Sequence, residues 1–262
     1  MEKENLIIGA IAGDVIGSAF EWHNVKTTDF ELFCPQSTFT DDSVLTIATM
    51  DVLINKKDYA QVYHEYGRRF HNRGFAQGFY SWILSDNPKP YNSWGNGSAM
   101  RVSPVGWFCT NIDDVLLEAK RSAEVTHNHP EGIKGAQAVA SAVFLARNSK
   151  TKEEIKKFIS ETFNYNLERK IDDIRPGYKF DVSCQGSVPE AIIAFLESTD
   201  FENAIRLAIS IGGDSDTIAC ITGGIAEAYY KTIPENIIDN VINALPDDLV
   251  NIIEAFSKMY RR

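Results

Sequence analysis

The stretch Gly212-Gly213-Asp214-Ser215-Asp216-Thr217 leads into an apolar run from Ile218, and small and apolar residues continue at helical spacing to Tyr230. The two glycines permit a tight turn with positive φ, so we predict a buried helix that begins at Asp214. Two desolvated carboxylates at this point raise each other's pKa unless a cation neutralises them. A bound divalent metal is one explanation for them. Helix capping, for which Asp, Ser and Thr are preferred residues, is the other.

A second stretch, Thr38-Phe39-Thr40-Asp41-Asp42-Ser43, repeats the hydroxyl and carboxylate groups far upstream, again before an apolar helical run from Val44 to Leu53. Hard cations such as Mg²⁺ take oxygen ligands and usually retain some waters. Two helix starts that each offer carboxylates and a Thr oxygen can meet to hold one or two such ions. Neither stretch contains His or Cys, which disfavours a zinc or soft-metal site.

The composition is that of an ordinary globular protein. The 262 residues are 44% hydrophobic and 24% charged, and no linker-like stretch divides them, so we predict one domain over residues 1–262. A net charge of −10 without a basic stripe disfavours nucleic acid and anionic membranes as partners, but not a polyanionic small molecule. The N-terminal apolar run is interrupted by Asp14 and resembles neither a signal peptide nor a membrane span. Four widely spaced cysteines predict reduced thiols and a cytoplasmic location.

Residues 5–20 are predicted to form a buried helix whose glycines lie four residues apart on one face, where another backbone can approach closely. Asp14 and Glu21 are seven residues apart, about two helical turns, so both point the same way if the helix persists. A polar loop over residues 23–37 follows and ends at the upstream acidic stretch. A carboxylate such as Glu21, at the edge of a loop, is free to move.

A third stretch, Ser93-Trp94-Gly95-Asn96-Gly97-Ser98-Ala99-Met100-Arg101, opens a predicted helix that runs towards Trp107. Glycines at a helix start expose backbone N–H groups that can hold phosphate oxygens, with help from the helix dipole. The stretch lacks the Gly-Lys-Ser/Thr of a Walker loop and the preceding strand of a dinucleotide fingerprint. Taken alone, it is equally explained as a C-cap followed by an N-cap.

Helical spacing predicts further helices, and no strand pair or fixed-period repeat is found, so we expect an all-α domain of orthogonally packed helices. His127 and His129 lack further ligands at a recognisable spacing, so hydrogen bonding or capping explains them better than zinc. The predicted helices cover residues 41–54, 58–71, 77–84, 113–124, 130–147, 151–163, 188–196, 201–211, 237–245 and 247–260.

Five motifs together resemble the ADP-ribosylglycohydrolase family, which includes dinitrogenase-reductase-activating glycohydrolase and the ADP-ribosyl-arginine and ADP-ribosyl-serine hydrolases. They stand in family order and extend over nearly the whole chain. The family's frequent proline before the glutamate is absent, and Ser43 replaces a commoner Thr, but neither change removes a ligand. The motifs are Gly13-Asp14-x2-Gly17-x3-Glu21, Thr40-Asp41-Asp42-Ser43, Gly95-Asn96-Gly97-x2-Met100-Arg101, Thr126-His127 and Gly212-Gly213-Asp214-x-Asp216-Thr217.

The resemblance implies an all-α fold with a binuclear magnesium centre, Mn²⁺ being an alternative ion. It implies catalytic roles for Glu21, Asp41 and Asp216, with Glu21 acting as acid, base or gate. The implied metal ligands are Thr40, Asp41, Asp42, Asp214, Asp216 and Thr217, with Asp216 shared between the ions. The implied substrate contacts include Asp14, and Gly74 with Phe75 in the distal cavity. They also include Ser93, Trp94, Gly95, Asn96 and Gly97 at the diphosphate, and His127 near the phosphate and ribose.

The activity that the resemblance implies is hydrolysis of the glycosidic bond between ADP-ribose and an acceptor on a protein or small molecule. Arginine, serine, guanidine, a base and an acetyl ester all remain open as acceptors, and similarity to short microbial members favours arginine or guanidine. Two other interpretations stay open. One is an all-α metal-dependent phosphohydrolase of nucleotide diphosphates, and the other is a non-catalytic binder like the lens-crystallin relatives of the family. Retention of every acidic ligand and of Glu21 favours an enzyme.

Overall fold

Helix α13 (Ser215–Tyr230) follows the Gly212–Gly213 turn and forms the centre of the molecule. In the computed structural model, which describes residues 6–260, every residue of α13 from its start to Ala228 is buried. Gly212 and Gly213 have φ angles of 75° and 74°, as the tight turn requires. Helices α1, α8, α11 and α12 pack around α13, so the acidic end of this helix is enclosed by the core.

All regular secondary structure between residues 6 and 260 is helical, apart from one isolated antiparallel bridge between Gly95 and Ser183. No helix in this range is long and apolar enough to cross a bilayer. In chain order the helices are α1 (Gly9–Gly17), α2 (Asp41–Asn55), α3 (Tyr59–Arg69), α4 (Gln77–Leu84), α5 (Gly97–Met100), α6 (Ser103–Phe108), α7 (Ile112–Glu124), α8 (Pro130–Arg147), α9 (Lys152–Phe163), α10 (Ile171–Ile174), α11 (Cys184–Glu197), α12 (Phe201–Ser210), α13, α14 (Glu235–Ala244) and α15 (Asp247–Tyr260).

Helix α1 lies directly against α13, and the predicted close backbone approach is confirmed. A Cβ atom at Gly13 would lie 2.0 Å from the carbonyl oxygen of Ala219, and one at Gly17 would lie 2.6 Å from the Cα of Asp216. Any larger residue at these positions would separate the two helices. The glycines therefore bring α1, and the Asp14 side chain that it carries, to the acidic start of α13.

Two predicted helices differ from the observed ones near the site. The helix expected to reach residue 20 ends at Gly17, where the Phe20 N–H donates to the Gly17 carbonyl at 2.8 Å and tightens the last turn. Glu21 is therefore not on one helix face with Asp14, and residue 5 lies outside the described range. The helix expected from residue 93 to Trp107 is divided into α5 and α6, because Pro104 has no N–H to donate to the preceding turn.

Helix α11 begins four residues before the predicted start at Val188. The side chain of Ser183 accepts a hydrogen bond from the Gly186 N–H at 3.1 Å and so caps the helix at an earlier position. Pro189 lies inside α11, which made a later start more plausible from sequence. The segment between α9 and α11, for which no helix was predicted, also contains the short helix α10.

Candidate metal and substrate site

The starts of α2 and α13 meet beside the C-terminal half of α1. Thr40 caps α2, since its Oγ1 accepts a hydrogen bond from the Asp42 N–H at 3.3 Å. Asp14 accepts from the Thr40 N–H at 2.9 Å and from its Oγ1 at 2.6 Å, which holds this start against α1. Thr217 donates to Asp42 Oδ2 at 3.3 Å, across 175 positions of sequence. Two acidic stretches that are distant in sequence are therefore in direct contact.

Carboxylate oxygens gather here in two groups that share Asp216. Within each group the ligand atoms lie within 4.8 Å of one another. The Thr40 and Thr217 hydroxyls lie beside them, so every candidate metal-ligand atom is an oxygen, as a hard divalent cation prefers. The groups are Asp14, Asp42 and Asp216, and Glu21, Asp214 and Asp216.

The electrostatics of these carboxylates fit a bound cation. Asp42 Oδ1 is buried and has no hydrogen-bond partner among the described residues. Burial, followed by the charge of Asp216, raises the pKa of Asp41 and that of Asp42 well above the usual range. Burial and the neighbouring Asp214 do the same for the pKa of Asp216. A divalent cation would give the orphaned oxygen a partner and compensate the clustered charge.

Asp214 is the N-cap residue of α13 by position, but its side chain makes no capping hydrogen bond. Its Oδ2 instead accepts from Asn96 Nδ2 at 2.6 Å, and Asn96 Nδ2 also lies 3.1 Å from Ser187 Oγ. Burial raises the pKa of Asp214 to about 6. Capping therefore does not explain this carboxylate, which Asn96 holds in the acidic cluster.

Glu21 reaches the cluster from the loop after α1. Asn24 ties this loop to the glycine turn, since its Nδ2 donates to the carbonyls of Glu21 at 2.9 Å and Gly213 at 3.0 Å. The Gly213 N–H returns a hydrogen bond to Asn24 Oδ1 at 2.7 Å. Burial and the nearby charges of Asp216 and Asp14 raise the pKa of Glu21 to about 7. A carboxyl group with such a pKa can both release and accept a proton near neutrality.

The acidic cluster opens into a cavity of about 340 Å³. The Gly95-Asn96-Gly97 turn contributes to its wall, but two of its amides are already engaged. The Gly95 N–H donates to Ser93 Oγ at 3.1 Å, and the Asn96 N–H donates to the Val182 carbonyl at 2.7 Å. These two N–H groups are not available to a phosphate in this structure, in contrast to what a glycine-rich helix start suggested.

Most of the residues that the family resemblance singled out line this cavity, and three do not. Asp14 is completely buried behind Thr40, which it orients. Trp94 is 53% exposed and packs its ring edge-on to His129 at 5.6 Å, and Phe75 stacks on Phe79 at 4.9 Å. The residues on the wall are Glu21, Thr40, Asp41, Asp42, Gly74, Ser93, Gly95, Asn96, Gly97, His127, Asp214, Asp216 and Thr217.

The cavity wall also includes residues to which the sequence analysis gave no role. Trp22 is 74% exposed and stacks on Phe180 with ring centroids 5.2 Å apart. Neither residue lies in a predicted helix, so helical spacing gave no reason to single them out. Arg101 was noted only as part of a motif. The further wall residues are Trp22, Leu45, Ala76, Gly78, Phe79, Tyr91, Met100, Arg101, Phe180 and Val182.

Comparison with known proteins agrees with this architecture. The model of the ADP-ribosylglycohydrolase family matches residues 4–261. ADP-ribosylhydrolase ARH3 of Xenopus tropicalis is 26% identical, over 88% of this chain and 88% of that protein. ADP-ribosylarginine hydrolase Tri1 of Pseudomonas putida is 25% identical, over 86% of this chain and 69% of that protein. A solved structure described as an ADP-ribosylglycohydrolase-related protein complex superposes with a TM-score of 0.75 at 21% identity, covering 98% of this chain and 97% of that one.

The chain belongs to the ADP-ribosylglycohydrolase family, since the family model matches almost its entire length. The solved structure has the same all-helical fold, so the predicted fold class is confirmed. The predicted enzyme class is likewise confirmed as that of the family and of its named relatives, which are hydrolases.

Proposed function

We propose that this protein is a magnesium-dependent hydrolase that releases ADP-ribose from an arginine side chain or a related guanidine. The observation that carries the proposal is the meeting of two acidic helix starts around the orphaned oxygen of Asp42, in a cavity that also contains the Gly95-Asn96-Gly97 turn. Such a cavity offers oxygen ligands for a hard cation and space for a diphosphate beside it.

The ligands proposed for Mg²⁺ are those that the family resemblance implied: Thr40, Asp41, Asp42, Asp214, Asp216 and Thr217. When bound, the ion supplies Lewis acidity that polarises water and sugar hydroxyl groups. Because Thr40 caps α2 and Asn96 restrains Asp214, these side chains are held in place before any ligand arrives. Little conformational entropy is then lost on binding.

Glu21 is the proposed acid or base. Burial is the first cause of its raised pKa and persists when a cation compensates the neighbouring carboxylates, so Glu21 can hold a proton for the leaving acceptor and later accept one from water. Departure of the acceptor builds positive charge on the ribose ring, which the carboxylates of Asp41 and Asp216 stabilise. Asn24 keeps the Glu21 loop against the Gly213 turn, so that the proton donor stays beside these carboxylates.

The mouth of the cavity supports a cationic, planar acceptor. The exposed ring of Trp22 is adjacent in sequence to Glu21 and backed by Phe180. A guanidinium group stacks favourably on an indole ring and is attracted to a carboxylate-rich site. Tri1, one of the relatives, carries the name of an arginine hydrolase. A serine hydroxyl would gain neither interaction.

The test uses two matched peptides, one ADP-ribosylated on arginine and one on serine, with magnesium and then with EDTA. We expect magnesium-dependent release of intact ADP-ribose from the arginine peptide. Glu21→Gln, which keeps the side-chain shape, should abolish turnover while ADP-ribose still binds. Trp22→Ala should weaken cleavage of the arginine peptide selectively. Release of AMP or ribose phosphate would instead identify a phosphohydrolase, and cleavage of the serine peptide alone would overturn the arginine assignment.

A reducing compartment such as the cytoplasm is the proposed location. All four cysteines are unpaired, and three of them are buried. Burial raises the pKa of the Cys109 and Cys184 thiols to about 12, so these thiols remain protonated and unreactive. Thiol titration of the protein isolated under non-reducing conditions should find four free cysteines.

A further inference from the structure

Arg101 is a fully buried cation that contributes to the cavity wall. It is the C-cap residue of α5, and its guanidinium lies 4.3 Å from the centre of the Tyr63 ring. Nη2 donates to the Ser122 carbonyl at 2.7 Å and to Thr126 Oγ1 at 2.9 Å. No carboxylate among the described residues forms an ion pair with it. Burying a cation without a carboxylate partner costs free energy, which indicates that Arg101 has a role beyond packing.

Thr126 connects this arginine to His127. Thr126 Oγ1 lies 2.7 Å from His127 Nδ1. The hydroxyl oxygen accepts a hydrogen bond from Arg101, which can only donate, and the hydroxyl proton then has His127 Nδ1 as an acceptor within reach. An Nδ1 atom that accepts this hydrogen bond carries no proton. In that arrangement the proton of a neutral imidazole ring is on Nε2.

A doubly protonated ring is disfavoured at this position. Burial, and then the charge of Arg101, lower the pKa of His127 well below its usual value. The Arg101 guanidinium lies behind the ring, on the Nδ1 side, through Thr126. His127 therefore remains a neutral imidazole at ordinary pH. Its donor and acceptor atoms are set by the hydrogen bond at Nδ1.

Nε2 is on the opposite side of the ring, against the glycine turn of the cavity wall. A Cβ atom at Gly97 would lie 3.1 Å from Nε2, and one at Gly95 would lie 3.6 Å away. The absence of side chains at these two glycines leaves the nitrogen facing the cavity. Since the Gly95 and Asn96 amides are engaged elsewhere, the His127 N–H is a donor that this part of the wall can offer.

We propose that Arg101 and Thr126 are positioning residues that hold His127 as a neutral imidazole with its proton on Nε2, facing the cavity as a hydrogen-bond donor to a phosphate oxygen of the substrate. Only the identity of the hydrogen-bond acceptor, a phosphate oxygen of ADP-ribose, rests on the proposed function. The opposite tautomer would present a lone pair to the phosphate and repel it. The order of donors from Arg101 to Thr126 to His127 thus determines whether this wall attracts or repels an anion.

The tautomer is measured directly from ¹H–¹⁵N correlation spectra of the histidine ring in the metal-free full chain at neutral pH. The His127 signals are assigned by their loss in His127→Gln. We expect a protonated Nε2 and an unprotonated Nδ1 in the wild type. Thr126→Val, which replaces the hydroxyl with a methyl group of similar shape, should give a mixture of tautomers, and Thr126→Ser should restore the wild-type pattern. A wild-type proton on Nδ1 would overturn the proposal, and this outcome is read from the wild-type spectrum itself once a folded His127→Gln variant has assigned the signals.

The functional consequence is measured as ADP-ribose affinity by calorimetry in magnesium. We expect Thr126→Val to weaken binding ~10-fold, the usual size of one lost hydrogen bond to an anion, and Thr126→Ser to stay within about twofold of the wild type. Unchanged affinity in a folded Thr126→Val variant would overturn the proposed contact. His127→Gln should bind more tightly than His127→Ala, since the Gln amide can place an N–H near the position of Nε2.

The two assays separate this inference from the proposed function. If the ring proton is on Nε2 and changes with Thr126→Val, but the wild type does not bind ADP-ribose, the positioning by Arg101 and Thr126 is supported and the proposed substrate is overturned. If ADP-ribose binds but the tautomer is the same in wild type and Thr126→Val, the positioning role is overturned and the proposed substrate is retained.

Discussion

The starts of α2 and α13 have similar residue types but use them differently. At α2, Thr40 has an extended backbone with φ −113°, and its hydroxyl caps the helix. At α13, Asp214 follows two glycines of positive φ, and its side chain caps nothing. One start satisfies its own backbone through a hydroxyl, so its carboxylates are not needed for capping. The other depends on Asn96, from a different part of the chain, to hold its carboxylate.

The comparison shows why a capping residue cannot be identified from residue type alone. Asp, Ser and Thr are preferred at helix starts because their side-chain oxygens reach the first backbone N–H groups. At Asp214 the glycine turn changes the direction from which the chain enters the helix, and the carboxylate faces Asn96 instead. An acidic residue that occupies the N-cap position without capping is therefore a candidate for a functional role.

The largest expected effect is at Asp216, which both carboxylate groups share. Asp216→Asn should lower kcat/KM by ~10³-fold, the scale of losing a key electrostatic group. The thermal stability should hardly change, because the Asn oxygen can still accept a hydrogen bond from the Thr217 N–H. In the wild type this N–H lies 2.9 Å from Asp216 Oδ1. Steady-state kinetics and thermal denaturation check the two statements. Near-wild-type activity would remove Asp216 from the proposed metal site.

Magnesium should stabilise the folded protein by binding to ligands at the starts of α2 and α13 at the same time. At a concentration 100 times Kd, binding to the folded state adds about 2.7 kcal/mol, which for a chain of this size raises Tm by about 5–10 °C. Asp42→Asn and Asp214→Asn should each remove most of this increase, as measured by differential scanning calorimetry with Mg²⁺ or EDTA. Asp58→Asn is the control, since Asp58 caps the distant helix α3. If the magnesium-dependent increase in Tm persisted in both Asp42→Asn and Asp214→Asn, the ion would bind elsewhere.

Loss of Asn96 should affect the α13 start selectively. Asn96→Ala removes the donor that lies 2.6 Å from Asp214 Oδ2, and removal of such an outer partner of a ligand should weaken Mg²⁺ affinity and kcat/KM ~10-fold. Ser187→Ala is the matched control, because it removes the other polar neighbour of the Asn96 amide and leaves the Asp214 contact intact. Equal effects of the two variants on Mg²⁺ affinity, measured by calorimetry, would contradict the role assigned to Asn96.

The smallest expected effect concerns stability without metal. Thr40→Ala removes the cap of α2 and should lower the free energy of unfolding by ~1 kcal/mol in urea denaturation with EDTA, whereas Thr40→Ser should retain most of it. Asp214→Asn should cost less than Thr40→Ala, since no cap is lost at α13 and a buried carboxylate is neutralised. A larger loss for Asp214→Asn would show that this residue supports its helix after all.

Helical periodicity identified most helices from sequence, because caps and prolines act over a few residues. Helices α4 and α8 have the predicted bounds, and α9 begins one residue after its predicted start, because Thr151 is its cap. Some errors had local causes, such as the Ser183 cap of α11, but those that affect the acidic site lie where distant packing intervenes. Helix α1 stops at Gly17, where it meets the start of α13, and Glu21 reaches the cluster from a loop that Asn24 holds. No local pattern contains these contacts.

By itself, the sequence determined the all-α fold, a glycine face on α1 that another backbone can approach, and the two acidic helix starts, since these follow from local spacing and residue type. Only the tertiary structure decided which groups remain free to act. It showed that Asp214 does not cap, that Asp42 has an orphaned oxygen, and that Arg101 reaches His127 through Thr126. The physical reason is that hydrogen-bond satisfaction depends on every group within about 3 Å, and folding brings those groups from distant parts of the chain.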